Sequence, residues 1–375
     1  MSTLHIHFPG KLVFGNRCID QLPDDIAALA PARVLILTIT PLLGALQPLI
    51  GELEKQGIHI AIYTAITQEP SFEDLHRVLS EATPFDPDLV LGIGGGSVLD
   101  VAKLVAAQLG NPQSLNDYVG IGLLKGRSRK LICIPTTSGT GSEVSPNAIL
   151  VDNKDNQKKG IISQYLVPDI VYVDPMLTIG VPAAITAATG LDALTHCLEA
   201  YTNKFAQPFI DLYAFEGMRL IAANLVRAVK NGGDEEARSQ VAMGSLLGGF
   251  CLGPVNTAAV HALSYPLGSS FHLPHGLSNA LLLPHVMEFN LPAARDRYTG
   301  VARALGVATA EDSVETIRQL IRDCGIPATL KEVGVPYDAI ETMAADAMKV
   351  TRLLNNNPRP VSKEDAIAIY QAAYE

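Results

Sequence analysis

The chain has no surplus of basic charge: 28 Lys and Arg stand against 38 Asp and Glu, for a net charge of −10. Phosphate backbones are gripped by clustered cations, so this balance argues against a nucleic-acid partner. No basic amphipathic stretch is present, which argues against a membrane-surface role. Residues 1–7 hold neither a basic start nor an apolar run, so no signal peptide is expected. The longest weakly polar run, residues 175–191, is interrupted by Pro182 and several threonines and does not read as a membrane span. Five cysteines (Cys18, Cys133, Cys197, Cys251 and Cys324) are scattered, odd in number and without a Cys-x-x-Cys pair. That usage fits a reducing cytoplasm, the expected location. Internal repeats and low-complexity tracts are also missing.

What is present is a globular composition. Of 375 residues, 48% are apolar and 31 are glycine, enough for two domains with separate cores. The first half alternates short apolar runs with helical patterns. Residues 12–14 read as a strand before a turn at Gly15 and Asn16. Residues 33–38, 58–63, 88–93, 130–136 and 170–174 read as further strands. Helical spacing covers residues 42–56 and 72–82, and a helix is expected up to residue 29. This alternation predicts a doubly wound parallel sheet. Residues 152–159 read as a polar turn. After Asp174 and Pro175 no convincing strand appears and helical periodicity takes over. A boundary is expected near residues 178–182, giving an α/β domain at 1–179 and an all-α domain at 180–375. Asn355, Asn356, Asn357 and Pro358 make a polar turn before a last helix at 363–374.

Two strand ends stand out. The run 88–93 leads into Gly94, Gly95, Gly96 and Ser97, where a helix begins. Glycines without Cβ atoms let a ligand approach the backbone, and a helix start favours a pyrophosphate. The competing reading is a turn that needs positive φ; phosphate binding is favoured over it. This is not the usual Gly-x-Gly-x-x-Gly fingerprint, because Ser97 stands at the last position. The run 130–136 leads into Thr137, Ser138, Gly139, Thr140, Gly141, Ser142 and Glu143. Hydroxyls at the carboxyl end of a strand lie where open α/β sheets take ligands. Thr140 and Glu143 also have capping-box spacing, with Pro146 limiting any helix there to about one turn.

In the second half, residues 190–201 read as a helix, with Leu191, Leu194 and Leu198 at helical spacing. Asp192 and His196 are one turn apart on one face. A carboxylate and an imidazole so placed can share a divalent metal. A lone pair of this kind is more often a structural contact, so further ligands are needed. His261 and His275 lie in weakly charged surroundings and supply them, while His272 and His285 read as core histidines with satisfied hydrogen bonds. Tyr265 falls one turn after His261, and Pro266 is expected to end that helix.

These motifs together resemble the iron-containing (group III) alcohol dehydrogenase family. The resemblance is carried by Phe14 and Gly15; Gly94, Gly95, Gly96, Ser97, Asp100, Ala102 and Lys103; and Pro135, Thr136, Thr137, Gly139, Thr140, Gly141, Ser142 and Glu143. It continues through Thr189, Gly190, Asp192, Ala193, Leu194, His196, Glu199, Ala200 and Tyr201, then Pro274, His275 and Gly276, and closes at Asn357, Pro358 and Arg359. It implies a dinucleotide-binding α/β domain, an all-helical metal domain and an active site in the cleft between them. It implies Asp192, His196, His261 and His275 as metal ligands, with Fe2+ favoured and Zn2+ also suited to the donor set. Gly94, Gly95, Gly96, Ser97 and Asp100 would belong to the pyrophosphate block, and Thr136, Thr137 and Thr140 would line the nucleotide and nicotinamide site. A homodimer is implied as well.

Two positions depart from the family pattern. Tyr265 stands where many members have a second histidine near the substrate. Ile39 stands where many NAD-preferring members have an aspartate for the adenosine ribose. No acid repels a 2′-phosphate there and no arginine attracts one, so NAD(H) and NADP(H) are poorly discriminated, with a lean to NAD(H). The expected reaction moves a hydride between that cofactor and a small alcohol or aldehyde. Glycerol dehydrogenase-like and maleylacetate reductase-like enzymes are the near alternatives. A dehydroquinate synthase-like lyase is disfavoured because residues 189–201 and 259–285 contain no Lys or Arg for a substrate phosphate.

Overall fold

A computed structural model of the chain describes residues 3–154 and 157–375. By internal contacts it divides into two units. One comprises His7–Thr137 and Ser142–Thr178; the other comprises Ser138–Gly141 and Ile179–Glu375, together with residues 3–6.

In the α/β unit the strands are β1 (Lys11–Phe14), β2 (Arg33–Leu37), β3 (His59–Tyr63), β4 (Leu89–Gly94), β5 (Gly120–Ile121), β6 (Lys130–Pro135), β7 (Asn147–Asp152), β8 (Gln157–Ile162) and β9 (Ile170–Val173). Its helices are α1 (Leu22–Leu29), α2 (Leu43–Lys55), α3 (Phe72–Phe85) and α4 (Gly96–Gln108). Six strands pair in the order β1-β9-β6-β4-β2-β3, and all those pairings are parallel. Strand side chains alternate between faces, so an unbroken apolar run buries both. Val34 and Ile36 of β2 join the core with Leu22 and Ile26 of α1 and Leu46, Ile50 and Leu53 of α2. Leu35 and Leu37 face the other way, into the core with Leu75 and Val78 of α3 and most of α4. The sheet is doubly wound, as its sequence pattern predicts.

The neighbours β2 and β4 mark where the winding reverses. The helix after β2 covers one face, and the helix after β4 covers the other. Ligands of open α/β sheets bind outside the carboxyl ends of strands at such a point. Ile39 follows β2 there, and Gly95, Gly96 and Ser97 follow β4.

One segment corrects the sequence reading. Residues 153–154 are a turn as expected, but Asp152 ends β7 and residues 157–159 begin β8, its antiparallel partner in a three-stranded sheet with β5; residues 155–156 lie outside the described residues. Polar β8 residues hid the strand. Lys158 is accommodated because its side chain, only 3% exposed, pairs with Glu69 at 2.5 Å. The capping-box spacing of Thr140 and Glu143 starts no helix; residues 137–146 are bends and turns.

The described residues from 179 onward contain helices and no strand. They open with α5 (Ala183–Thr202), α6 (Pro208–Lys230), α7 (Glu235–Cys251), α8 (Ala259–Phe271) and α9 (His275–Asn290), and close with a helix at Lys363–Tyr374. From Gly190 to Ala200, α5 is buried at every residue, so it forms the axis of the unit. Two glycines let its neighbours come close. A Cβ on Gly190 would lie 2.2 Å from Leu225 of α6, and one on Gly276 would lie 2.1 Å from the carbonyl oxygen of Ala188. The first turn of α9 therefore presses directly on α5.

Pro266 does not end α8; the helix runs on to Phe271. Leu263 and Leu267 beside it are fully buried, and the Tyr370 hydroxyl donates to the Leu263 carbonyl at 2.6 Å. Those tertiary contacts outweigh a local cost of roughly 3 kcal/mol for a proline inside a helix. Neither remaining histidine is a core residue with its polar atoms satisfied. His272 is exposed, in the left-handed conformation that closes α8, and His285 is partly buried with an Nδ1 that has no hydrogen-bond partner.

Candidate functional site

Helical spacing puts Asp192 and His196 on one face of α5. His261 comes from the first turn of α8, and His275 is the first residue of α9. The structure brings these four together: one ligand atom from each lies within 4.8 Å of the others. Asp192 Oδ1 is 3.6 Å from Nε2 of His196, 3.5 Å from Nε2 of His261 and 3.6 Å from Nε2 of His275. Ligand atoms around a tetrahedral metal with bonds of about 2.1 Å sit about 3.4 Å apart. The donor set and its spacing therefore fit a divalent cation. Asp192, His196 and His261 are buried, while the His275 side chain remains 31% exposed.

Its electrostatics couple a charged carboxylate to buried imidazoles. Burial opposes ionisation of Asp192, yet His196, His275 and His261 hold its carboxyl well below the usual range. Burial pulls the His196 pKa down, which favours the neutral ring a metal needs. His261 also resists charge through burial, but Glu199 and Asp192 push its pKa up to about 9.

Glu199, unassigned in the sequence reading, is nearly fully buried beside His261. Its Oε1 accepts the Val260 N–H at 2.7 Å, and its Oε2 pairs with His261 Nδ1 at 2.6 Å. A proton on Nδ1 leaves the Nε2 lone pair of a neutral ring for the cluster. Asn279 was also missed. Its amide nitrogen donates to Asp192 Oδ1 at 2.7 Å. Both residues lie at helical spacing from a ligand, Glu199 three after His196 and Asn279 four after His275, and that was the available signal. Tyr265 is partly buried, and its ring centroid is 6.4 Å from that of His275.

In the α/β unit, Gly94 ends β4, Gly95 precedes α4, and Gly96 and Ser97 begin it. Gly95 has φ −75°, and none of the three glycines has positive φ. The loop is therefore not a turn that demands left-handed backbone. Gly92 and Gly94 serve packing, since a Cβ on either would come within 2.8 Å of Ala102 or Val98. A Cβ on Gly95 would meet only the Thr137 side chain, at 3.5 Å. No side chain caps the start of α4, so the fold itself does not consume this helix end.

Asp100 faces the protein: it accepts from Ser142 Oγ at 2.5 Å and from the Ile149 N–H at 2.9 Å. The Thr136 N–H bonds the Gly94 carbonyl at 3.0 Å, tying the two strand ends together. Thr137 is partly buried beside Gly95. Thr140 belongs to the segment Ser138–Gly141, which groups with the helical unit. There, a Cβ on Gly139 would meet Thr189 at 2.7 Å, and one on Gly141 would meet Gly249 at 2.3 Å. Ile39 is half-buried against the α3 side of the sheet.

Comparison with known proteins covers both units. The model of the iron-containing alcohol dehydrogenases matches residues 9–175, and that of the C-terminal part of the Fe-containing alcohol dehydrogenase family matches residues 186–374. Long-chain-alcohol dehydrogenase 1 of Geobacillus thermodenitrificans is 38% identical, over 100% of this chain and 98% of that protein. The 1,3-propanediol dehydrogenase of Klebsiella pneumoniae is 33% identical, over 98% of this chain and 97% of its own length. A crystal structure of 1,3-propanediol oxidoreductase superposes with a TM-score of 0.95 at 33% identity, covering 100% of both chains. Among the described residues no helix is long and apolar enough to cross a membrane. The chain belongs to the iron-containing alcohol dehydrogenase family, metal-dependent oxidoreductases that move a hydride between a nicotinamide nucleotide and a small alcohol or aldehyde.

Proposed function

We propose that Asp192, His196, His261 and His275 hold one divalent cation, Fe2+ in preference to Zn2+, and that NAD(H) docks at the loop Gly94, Gly95, Gly96 and Ser97. The observation that carries this reading is the convergence of three imidazole nitrogens on Asp192 Oδ1 at 3.5–3.6 Å. A cation held there would supply a Lewis acid for the substrate oxygen, favouring loss of the alcohol's hydroxyl proton to solvent before hydride transfer and, in reverse, polarising the aldehyde carbonyl that takes up hydride. Asp192 supplies the one negative ligand, and Glu199 holds His261 with Nε2 toward the cluster. Gly95 and Gly96 allow close approach of the pyrophosphate, and Asp100 braces the loop through Ser142 and Ile149. Thr136, Thr137 and Thr140 line the nucleotide site. The Tyr265 hydroxyl serves as an oriented donor to substrate, since a phenol of pKa near about 10 is a poor base at neutral pH.

Domain roles follow the same division: 1–179 binds the nucleotide and 180–375 the metal. A lean to NAD(H) rests on the absence of an arginine beside Ile39, with NADP(H) weakly excluded. The relatives are named for long-chain alcohols and for 1,3-propanediol; both names support an alcohol or its aldehyde as substrate, and the second a small one. Five buried free cysteines support work in a reducing cytoplasm, and the assembly is a homodimer, as the family resemblance implies.

The test is NAD(P)H absorbance with a panel of alcohols and aldehydes, on protein as purified, stripped by chelator, and reloaded with Fe2+ or Zn2+. Activity is expected to vanish on stripping and return on reloading. His275→Ala is expected to stay folded and lose most metal and turnover. Full metal content and turnover in that variant would sink the ligand assignment.

A further inference from the structure

Asn279 is fully buried, and its amide lies against the ligand cluster. Besides its 2.7 Å bond to Asp192 Oδ1, Nδ2 is 3.1 Å from Nε2 of His261 and 3.3 Å from Nε2 of His275. One nitrogen thus faces three of the four converging ligand atoms. An amide carries two hydrogens, so it serves at most two of these acceptors at once. Its Oδ1 is buried without a hydrogen-bond partner. The amide's orientation follows from its surroundings: turned over, its oxygen would face the Asp192 carboxylate.

We propose that Asn279 is a positioning residue for the metal: its amide holds Asp192 Oδ1 at the meeting point of the three imidazole nitrogens. This rests on reading Asp192, His196, His261 and His275 as the metal site. The Asp192 oxygen has two lone pairs, so it would keep the amide bond while serving as a ligand. The carboxylate would thus be aimed at the site by the amide. Leucine at this position keeps the branching of the side chain and removes the donor, while alanine removes the amide without adding bulk to the buried site.

The experiment compares the metal-stripped full chain with Asn279→Leu and Asn279→Ala. Zn2+ affinity is read by competition with a chromophoric chelator, and ligand geometry by the visible bands of bound Co2+. Circular dichroism and NADH binding report whether each variant is folded. Loss of a bond to a ligating carboxylate is expected to weaken Zn2+ binding about 10–100-fold and to shift the Co2+ bands. If the leucine variant fails to fold, the alanine variant decides by the same two readouts. Zn2+ affinity within about twofold of wild type, with unshifted Co2+ bands, overturns the role of Asn279 and leaves the metal site standing. Wild-type protein that binds neither ion overturns the metal site and this inference together.

Discussion

Glu199 Oε2 lies 2.6 Å from Nδ1 of His261, and both side chains are almost completely buried. The pair makes one edge of the ligand cluster rigid: the Nδ1 proton points at the carboxylate, and Nε2 of the same ring points at Asp192. Glutamine at 199 has one oxygen for two donors, His261 Nδ1 and the Val260 N–H, so one of them loses its acceptor. Glu199→Gln is expected to lower metal affinity about 10–100-fold in a folded protein. Chelator competition checks this, and an unchanged affinity would remove Glu199 from the metal's support.

Gly96 has no positive φ, so its backbone conformation is one that a residue with a side chain can adopt. Gly96→Val is expected to raise the NADH dissociation constant at least about tenfold while leaving metal content intact. Quenching or enhancement of NADH fluorescence on titration gives the constant. Wild-type affinity in the variant would move the pyrophosphate elsewhere.

Ile39 sits just beyond β2, at the reversal of the sheet winding, in extended backbone with φ −118° and ψ 148°. A carboxylate there can accept from a ribose 2′-hydroxyl and repel a 2′-phosphate. Ile39→Asp is expected to raise the NAD(H)-over-NADP(H) ratio of kcat/KM. A ratio that does not move shows that the ribose lies away from residue 39.

Tyr265→Phe keeps the ring near His275 and removes only the hydroxyl. If that hydroxyl orients substrate, kcat/KM falls by roughly tenfold, the worth of one good hydrogen bond, with metal content unchanged. Steady-state kinetics and a pH profile identical to wild type would leave Tyr265 as packing.

Glu143 is 3% exposed, and burial, offset only in part by its own backbone and Lys103, pushes its pKa up to about 7. The unfolded chain ionises this group near pH 4.5, the folded chain near 7, so ionisation costs stability in the native state. The loss begins above pH 4.5 and is complete above 7. Glu143→Gln stays neutral throughout. Its stability relative to wild type is expected to rise between pH 4.5 and 8, by an amount on the order of 3 kcal/mol. Urea denaturation at the two ends of that window measures it; a pH-independent difference would show that Glu143 is ionised at no cost.

Local chemistry alone determined much of this protein. Unbroken apolar runs in 33–38, 88–93 and 130–136 specify strands buried on both faces, because side chains alternate along a strand whatever surrounds it. Asp192 and His196 share a face because four residues make about one helical turn. Glycines between a buried strand and a helix marked the loop after β4.

Only tertiary structure decided what meets what. His261 and Glu199 are 62 residues apart, and Asn279 and Asp192 are 87 apart, so no periodicity links them. His275 reaches Asp192 because Gly276 leaves no Cβ between α9 and the Ala188 carbonyl, a reason visible only once the helices are packed. The same holds where local signals were overridden. Pro266 stays inside α8 because its neighbours are buried and braced by Tyr370, and the polar start of β8 stays in a sheet because Lys158 finds Glu69. Backbone preferences of a few kcal/mol are comparable to single tertiary contacts, so packing decides wherever the two disagree.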